Sequence, residues 1–152
     1  MGTYSFLNVT ATLTHISGVA VQLGQGAGSA EEGISYELAD DKNAMMAGAD
    51  GSVMHSLHAS SAATLTIRLL KTSPTNAILQ QMYNTQTSSS LLHGKNTLII
   101  RDVARGDLAT FTEVAFKKQP ANSYGKDGAA LEWTFDAGQS SIILGTGVPS
   151  II

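Results

Sequence analysis

Two histidines three residues apart, in the stretch "VMHSLHAS" over residues 53–60, are the first candidates in this chain for metal binding or acid–base work. On a helix, residues three apart share a face and can hold one ion together; on a strand they point to opposite sides. Val53, His55 and Leu57 share a parity between a glycine turn and a clear strand pattern at 64–71, so the stretch predicts a strand. His55 and His58 then face opposite ways, and His15 and His93 stand far off in sequence. The expectation is surface or interface histidines with no shared metal.

The other groups with chemical potential give similarly plain readings. "GQGAGS" at 24–29 follows a strand, but it lacks the helix start and the lysine of a phosphate-cradling loop, and Glu31 and Glu32 would repel a phosphate. It is expected to be a flexible turn. Asp40, Asp41, Asn43 and Asp50 do not follow the regular alternation of a calcium loop. Arg105-Gly106-Asp107 spells an adhesion tripeptide, yet glycine beside polar residues between two strands is what a hairpin turn requires. Neither a G-x-S-x-G elbow nor an H-E-x-x-H pair is present, and there is no cysteine. The expectation is therefore a non-enzyme with no catalytic residue, cofactor or metal.

The elements that would carry these residues are mostly strands. Leu7, Val9, Ala11 and Leu13 alternate with Asn8, Thr10 and Thr12, and Val19, Val21 and Leu23 follow on one parity, which predicts a hairpin over 7–13 and 19–23. The same alternation runs through "ISYEL", "TLTIRLLK" and "LEWTF", with further strands at 97–103 and 109–118 joined by "ARGD" and a weaker one near "SSIILG". One segment, "TSPTNAILQQMYNTQT", is helical: Ile78, Leu79, Met82 and Tyr83 recur at helical spacing, Ser73 can cap the first turn, and Pro74 suits the first helical position. The helix is expected at about 74–85, with Ile78, Leu79 and Met82 packed on a sheet.

A chain of 152 residues has the size of a single domain, 1–152, able to bury ~70% of its unfolded surface. "MGTYSFLNVT" does not resemble a signal peptide, and no apolar run approaches the ~18 residues of a membrane helix, so folding in a cytoplasm without membrane insertion is expected. Only 14% of residues are charged, against ~25% in an average soluble domain, while 43% are hydrophobic. Two explanations stand side by side: a surface rich in Thr, Ser, Gln and Asn, or an outside that becomes interface when copies associate. Nine basic against twelve acidic residues, net −3, argue against a general nucleic-acid binder, which would show a basic stripe. The segment 39–52, "ADDKNAMMAGADGS", reads as a loop about as long as structureless loops in compact domains become. Met45 and Met46 in its middle are adaptable apolar contacts, either folded on their own core or docked on another subunit.

"YSFLNV", "AEEGI", "DKNAMMAGADGSVMHSLHAS", "LLKTSPTNAILQQMYN", "AFKKQP", "YGKDG" and "EWTFDAG", in that order over nearly the whole chain, resemble the tail tube proteins of contractile-tailed bacteriophages. The resemblance extends to the tube proteins of bacteriocins and type VI secretion machines. It implies a mainly β fold, a β-sandwich or partly open β-barrel with one flanking helix. It also implies a structural virion protein that forms stacked hexameric rings, assembled in the host bacterial cytoplasm, and serves as a conduit for DNA ejection. Implied partners are further copies of the chain, the tail sheath protein, the tape-measure protein, and baseplate and tail terminator proteins. DNA would pass through the lumen without specific binding. The loop that reaches the adjacent ring in such proteins matches residues 40–52, which makes Asp40, Asp41, Lys42, Met45, Met46 and Asp50 the expected subunit-interface residues. The rival is a β-sandwich binding module, carbohydrate-binding or adhesin-like; few aromatics are available as sugar platforms, and Trp133 and Phe135 lie on a core parity.

Overall fold

The computed structural model of the chain describes residues 3–24 and 29–146, of which 29–32 are described by backbone alone. The expected turn "GQGAGS" falls largely outside them. The strands are β1 (Val9–His15), β2 (Ala20–Gln22), β3 (Ser29–Leu38), β4 (Asn43–Ala47), β5 (Val53–Leu57), β6 (Ala63–Leu69), β7 (Asn96–Asp102), β8 (Asp107–Lys118) and β9 (Leu131–Ile143); one helix, α1, spans Thr75–Gln86. Seven strands form one sheet in the order β2-β1-β7-β8-β9-β6-β3, and β4 and β5 form a separate pair. Every pairing is antiparallel. Among the described residues β2 and β3 end the sheet without pairing to each other, so it stays open. It nevertheless curls: the Tyr36 ring of β3 meets the Phe111 ring of β8 edge-on at 5.2 Å, and Phe6, in a single 3-10 turn before β1, lies against Gly33. The molecule is thus a partly open barrel with a helix on its flank.

Period-two alternation builds the core. Leu13 on β1, Leu65, Ile67 and Leu69 on β6, Leu98 on β7, and Trp133 and Phe135 on β9 are fully buried on one face, while Thr64 and Thr66, alternating with the β6 residues, are only half-buried. β8 would lose this phase over its twelve residues, but the register slips at Thr112 and Glu113, where Glu113 takes a φ of 55°. The extra residue of this bulge returns Val114 and Phe116 to the side that Phe111 already faces. The predicted strand near "SSIILG" is the far half of β9, which runs on unbroken from Leu131. Leu7 departs from expectation. It belongs to the 3-10 turn, where the Ser5 hydroxyl accepts from its N–H, and it is exposed.

The helix is held by polar as well as apolar contacts. Pro74 has helical φ and ψ, and the Ser73 hydroxyl accepts from the Thr75 N–H at 3.2 Å, as the capping pattern predicts. Leu79 and Met82 are buried, but Ile78 is 43% exposed, which corrects the expected inward stripe. The buried positions are Thr75, Asn76, Leu79, Met82 and Gln86, a stripe rotated one residue away from Ile78. Its polar members are satisfied: Asn76 accepts from the Trp133 indole N–H at 3.1 Å and donates to the Leu70 carbonyl. Gln86 and Asn96 exchange amide hydrogen bonds of 3.0 and 2.6 Å, and Asn96 donates also to the Val114 carbonyl. His15, expected at a surface, is buried. Its Nε2–H donates to the Leu92 carbonyl, and Nδ1 faces the Ser17 hydroxyl and N–H.

Candidate functional site

The segment expected to be a long loop is a β-hairpin. After Leu38 and before Ala63 the β3–β6 pair continues outward, with the Ala39 N–H donating to the Ala62 carbonyl, and then becomes the β4–β5 pair. Its register is Asn43↔Leu57, Ala44↔Ser56, Met45↔His55, Met46↔Met54 and Ala47↔Val53. Apart from half-buried Ser56, every residue from 39 to 60 is exposed. The arm therefore projects from the barrel and gains almost nothing from the core. A lone two-stranded hairpin is marginal in water, so its ends carry the constraints. At the stem, His58 donates its N–H to the Lys42 carbonyl and its Nδ1–H to the Asp41 carbonyl, both at 2.9 Å, while the Lys42 ammonium reaches the His58 carbonyl at 3.4 Å. At the tip, the Gly48 N–H donates to the Ser52 carbonyl, and Gly51 supplies the φ of +87° that the turn requires. Asp50 closes this turn: its carboxylate accepts from the Ser52 N–H at 3.0 Å, and that bond holds its pKa below the ordinary value of 3.8.

The six expected interface residues are all on this arm, in three zones. Asp40, Asp41 and Lys42 mark the stem, Met45 and Met46 the shaft, and Asp50 the tip. Met45 and Met46 are 65% and 66% exposed, which excludes their folding back onto the subunit's own core. The opposite strand adds what the sequence reading left out, Val53, Met54 and Leu57, all exposed. His55 pairs through Nδ1 with the Asn43 amide at 3.2 Å, apart from His58, and among the described residues no group of His, Asp and Glu could hold a metal. The Arg105-Gly106-Asp107 segment is a hairpin turn. Asp102 accepts from the Ala104 and Arg105 N–H groups, and the Asp107 carboxylate accepts from the Gly145 N–H. Trp133, the natural sugar platform of a binding module, is buried.

An open antiparallel sheet, one flanking helix and a projecting apolar arm make up the described part of the subunit. Residues 1–145 match the family described as the bacteriophage PhiTE tail tube protein. The chain belongs to that family. It is a structural tube protein, not an enzyme. Solved structures give the same fold at low identity. The cap of the anti-feeding prophage, its tube-terminating cap, superposes with a TM-score of 0.54 at 14% identity over 95% of both chains. A chain of the PVC sheath–tube complex, an extracellular contractile injection system in its extended state, gives 0.52 at 11% identity over 88% of both. A chain of the PVC sheath/tube terminator gives 0.50 at 14%, over 94% of this chain and 98% of the other. No curated protein matches the chain significantly.

Proposed function

We propose that the chain, as a single tube domain over 1–152, polymerises into stacked hexameric rings that form the inner tube of a contractile tail. The observation that carries this reading is the exposed apolar shaft of the β4–β5 hairpin in a member of a tail tube family. A free subunit leaves Met45, Met46, Val53, Met54 and Leu57 in water, and the arm that bears them has a use only when another molecule covers it. The hairpin connects one ring to the next: Met45 and Met46 are its apolar contacts, and Asp40, Asp41, Lys42 and Asp50 are polar neighbours that set orientation. Within a ring, the unpaired edges of β2 and β3 are the places where neighbouring subunits extend the sheet, which would close the edges that the free subunit leaves open.

The tube's work is mechanical. A sheath drives it forward; tape-measure protein and DNA travel inside; baseplate and terminator proteins close its ends; and assembly takes place in the host cytoplasm before the virion is complete. DNA is a dense polyanion, and a wall that bound it through many lysines and arginines would stall its transit. Nine basic against twelve acidic residues suit a lumen that lets it slide.

Replacing residues 43–57 by a short glycine-serine turn tests the reading. The variant should fold and form isolated rings with six subunits by mass, and those rings should fail to stack. Long tubes from this variant, or rings of another number, would overturn it.

A further inference from the structure

Four lysines, far apart in sequence, meet at the end of the sheet opposite the projecting hairpin. The hairpin leaves where β6 begins, at Ala63; at the other end of β6, Leu69 pairs with Leu131 at the start of β9, and Lys118 at the end of β8 pairs with Thr134. Residues 119–130 join β8 to β9 there, whereas hairpin loops ordinarily need only about two to five residues. Pro120 is buried at the base of this loop, and every residue from 121 to 130 is exposed. Ordering a loop with so little buried costs backbone entropy, and Lys71, just past the end of β6, supplies the hold. Its ammonium donates to the Asn122 side-chain oxygen at 2.6 Å and to the Ser123 carbonyl, and it lies 4.1 Å from the centre of the Tyr124 ring.

The loop so held carries Lys126 and springs from Lys117 and Lys118, all three exposed. Among the described residues none of the three has a carboxylate at ion-pair distance, and Glu132, the acid at this end of β9, is taken by Arg68 at 3.0 Å. Four lysines against Asp127 give this end a charge of +3 in a chain of net −3, so the remainder carries −6. From this we infer that the β8–β9 loop is a docking surface for an acidic segment of a protein other than this chain. Lys117, Lys118 and Lys126 meet its carboxylates, and Lys71 is the positioning residue that holds the loop. The surface stands apart from the stacking contact proposed above. Another copy of the chain fits it poorly, because the acids of the exposed arm are dispersed: Asp40 and Asp41 stand beside Lys42, and Asp50, at the far tip, is engaged by the Ser52 N–H. DNA fits it poorly as well. A polyanion longer than the patch meets the −6 of the remainder, while a short acidic segment meets only charges within a Debye length of about 8 Å.

NMR titration of dilute, isotope-labelled subunit with hexaglutamate tests the inference, since it reads the weak binding that exposed ion pairs give. The peptide should shift the amides of 117–127 and of Lys71 and few others, and the effect should shrink as salt rises. Lys117→Glu with Lys126→Glu should weaken binding by about tenfold or more. Lys95→Glu with Arg101→Glu, also exposed and equal in charge change, should weaken it far less. Lys71→Met should weaken it too, with the amides of 121–130 moving towards random-coil positions. Equal losses in the two double variants would reduce the effect to net charge and overturn the site, and so would shifts scattered away from this end of the sheet. A short DNA duplex that binds these residues more tightly than hexaglutamate would reassign the surface to nucleic acid. The same amides shifting when the subunit alone is concentrated would reassign it to a further copy; either result overturns the inference.

Discussion

Changing Met45 and Met46 together to serine separates assembly from folding. Both side chains are about two-thirds exposed in the subunit, so most of what their burial can contribute is still to be gained. Complete burial of a methionine is worth ~1.5 to 3 kcal/mol, which leaves about 1 to 2 kcal/mol for each on assembly. The double variant therefore loses about 2 to 4 kcal/mol at every copy of the contact, a factor of roughly 30 to 1000 in its association constant. The subunit itself should scarcely notice. Exposed substitutions usually change stability by less than about 0.5 kcal/mol, under about 2 °C in melting temperature for a chain of this size. Thermal melting of dilute subunit by circular dichroism, beside sedimentation of tubes across a concentration series, measures the two effects separately. The critical concentration should rise steeply while the melting temperature holds. A large fall in melting temperature would place the methionines in the subunit's own core. Tubes that form at the parental concentration would remove the hairpin shaft from the contact.

Four further outcomes follow from the fold. Leu79→Ala, on the buried stripe of α1, should lower stability by about 2 to 5 kcal/mol in urea denaturation, whereas Ile78→Ser, on its half-exposed flank, should cost far less; equal losses would contradict the helix orientation. Gln86→Leu strips the Asn96 side chain of its amide partner and should cost about 1 to 3 kcal/mol; an unchanged denaturation midpoint would show that the buried amide pair contributes nothing. Gly24→Ala would set a Cβ 2.7 Å from the Ala11 nitrogen and should destabilise by about 1 to 3 kcal/mol, so a variant melting like the parent would disprove the close approach. The Asp50 carboxyl should titrate below 3.8 by NMR, because the Ser52 N–H stabilises its charged form. As its folded pKa is depressed, its contribution to the tip turn is complete above the unfolded value and fades as pH falls through the folded one. A midpoint at or above 3.8 would break that assignment.

Most of the barrel was legible in the residues because burial on one face writes itself as alternation. Val9, Ala11 and Leu13, or Leu65, Ile67 and Leu69, could scarcely be anything else. The first strand of the hairpin was not legible. Asn43, Ala44, Ala47 and the glycine-rich tip have weak strand preference, and with neither face buried there is no alternation of burial to read. Its second strand was visible from Val53, His55 and Leu57, yet it was expected to lead towards β6 instead of turning back on 43–47. The helix was placed almost to the residue, but its orientation was misjudged, because Asn76 and Gln86 complete the buried stripe through hydrogen bonds that hydrophobic spacing does not register. His15 lies on the buried parity of Val9, Ala11 and Leu13, but the Leu92 carbonyl that satisfies its ring there is distant in sequence.

Helical reconstruction by electron cryomicroscopy of tubes grown from the concentrated protein tests the central claim most directly. The account predicts rings of six subunits in which the β4–β5 hairpin of each chain crosses into the adjacent ring, with Met45 and Met46 enclosed by protein. Tubes whose rings stack through other surfaces while the hairpin stands in solvent would contradict it.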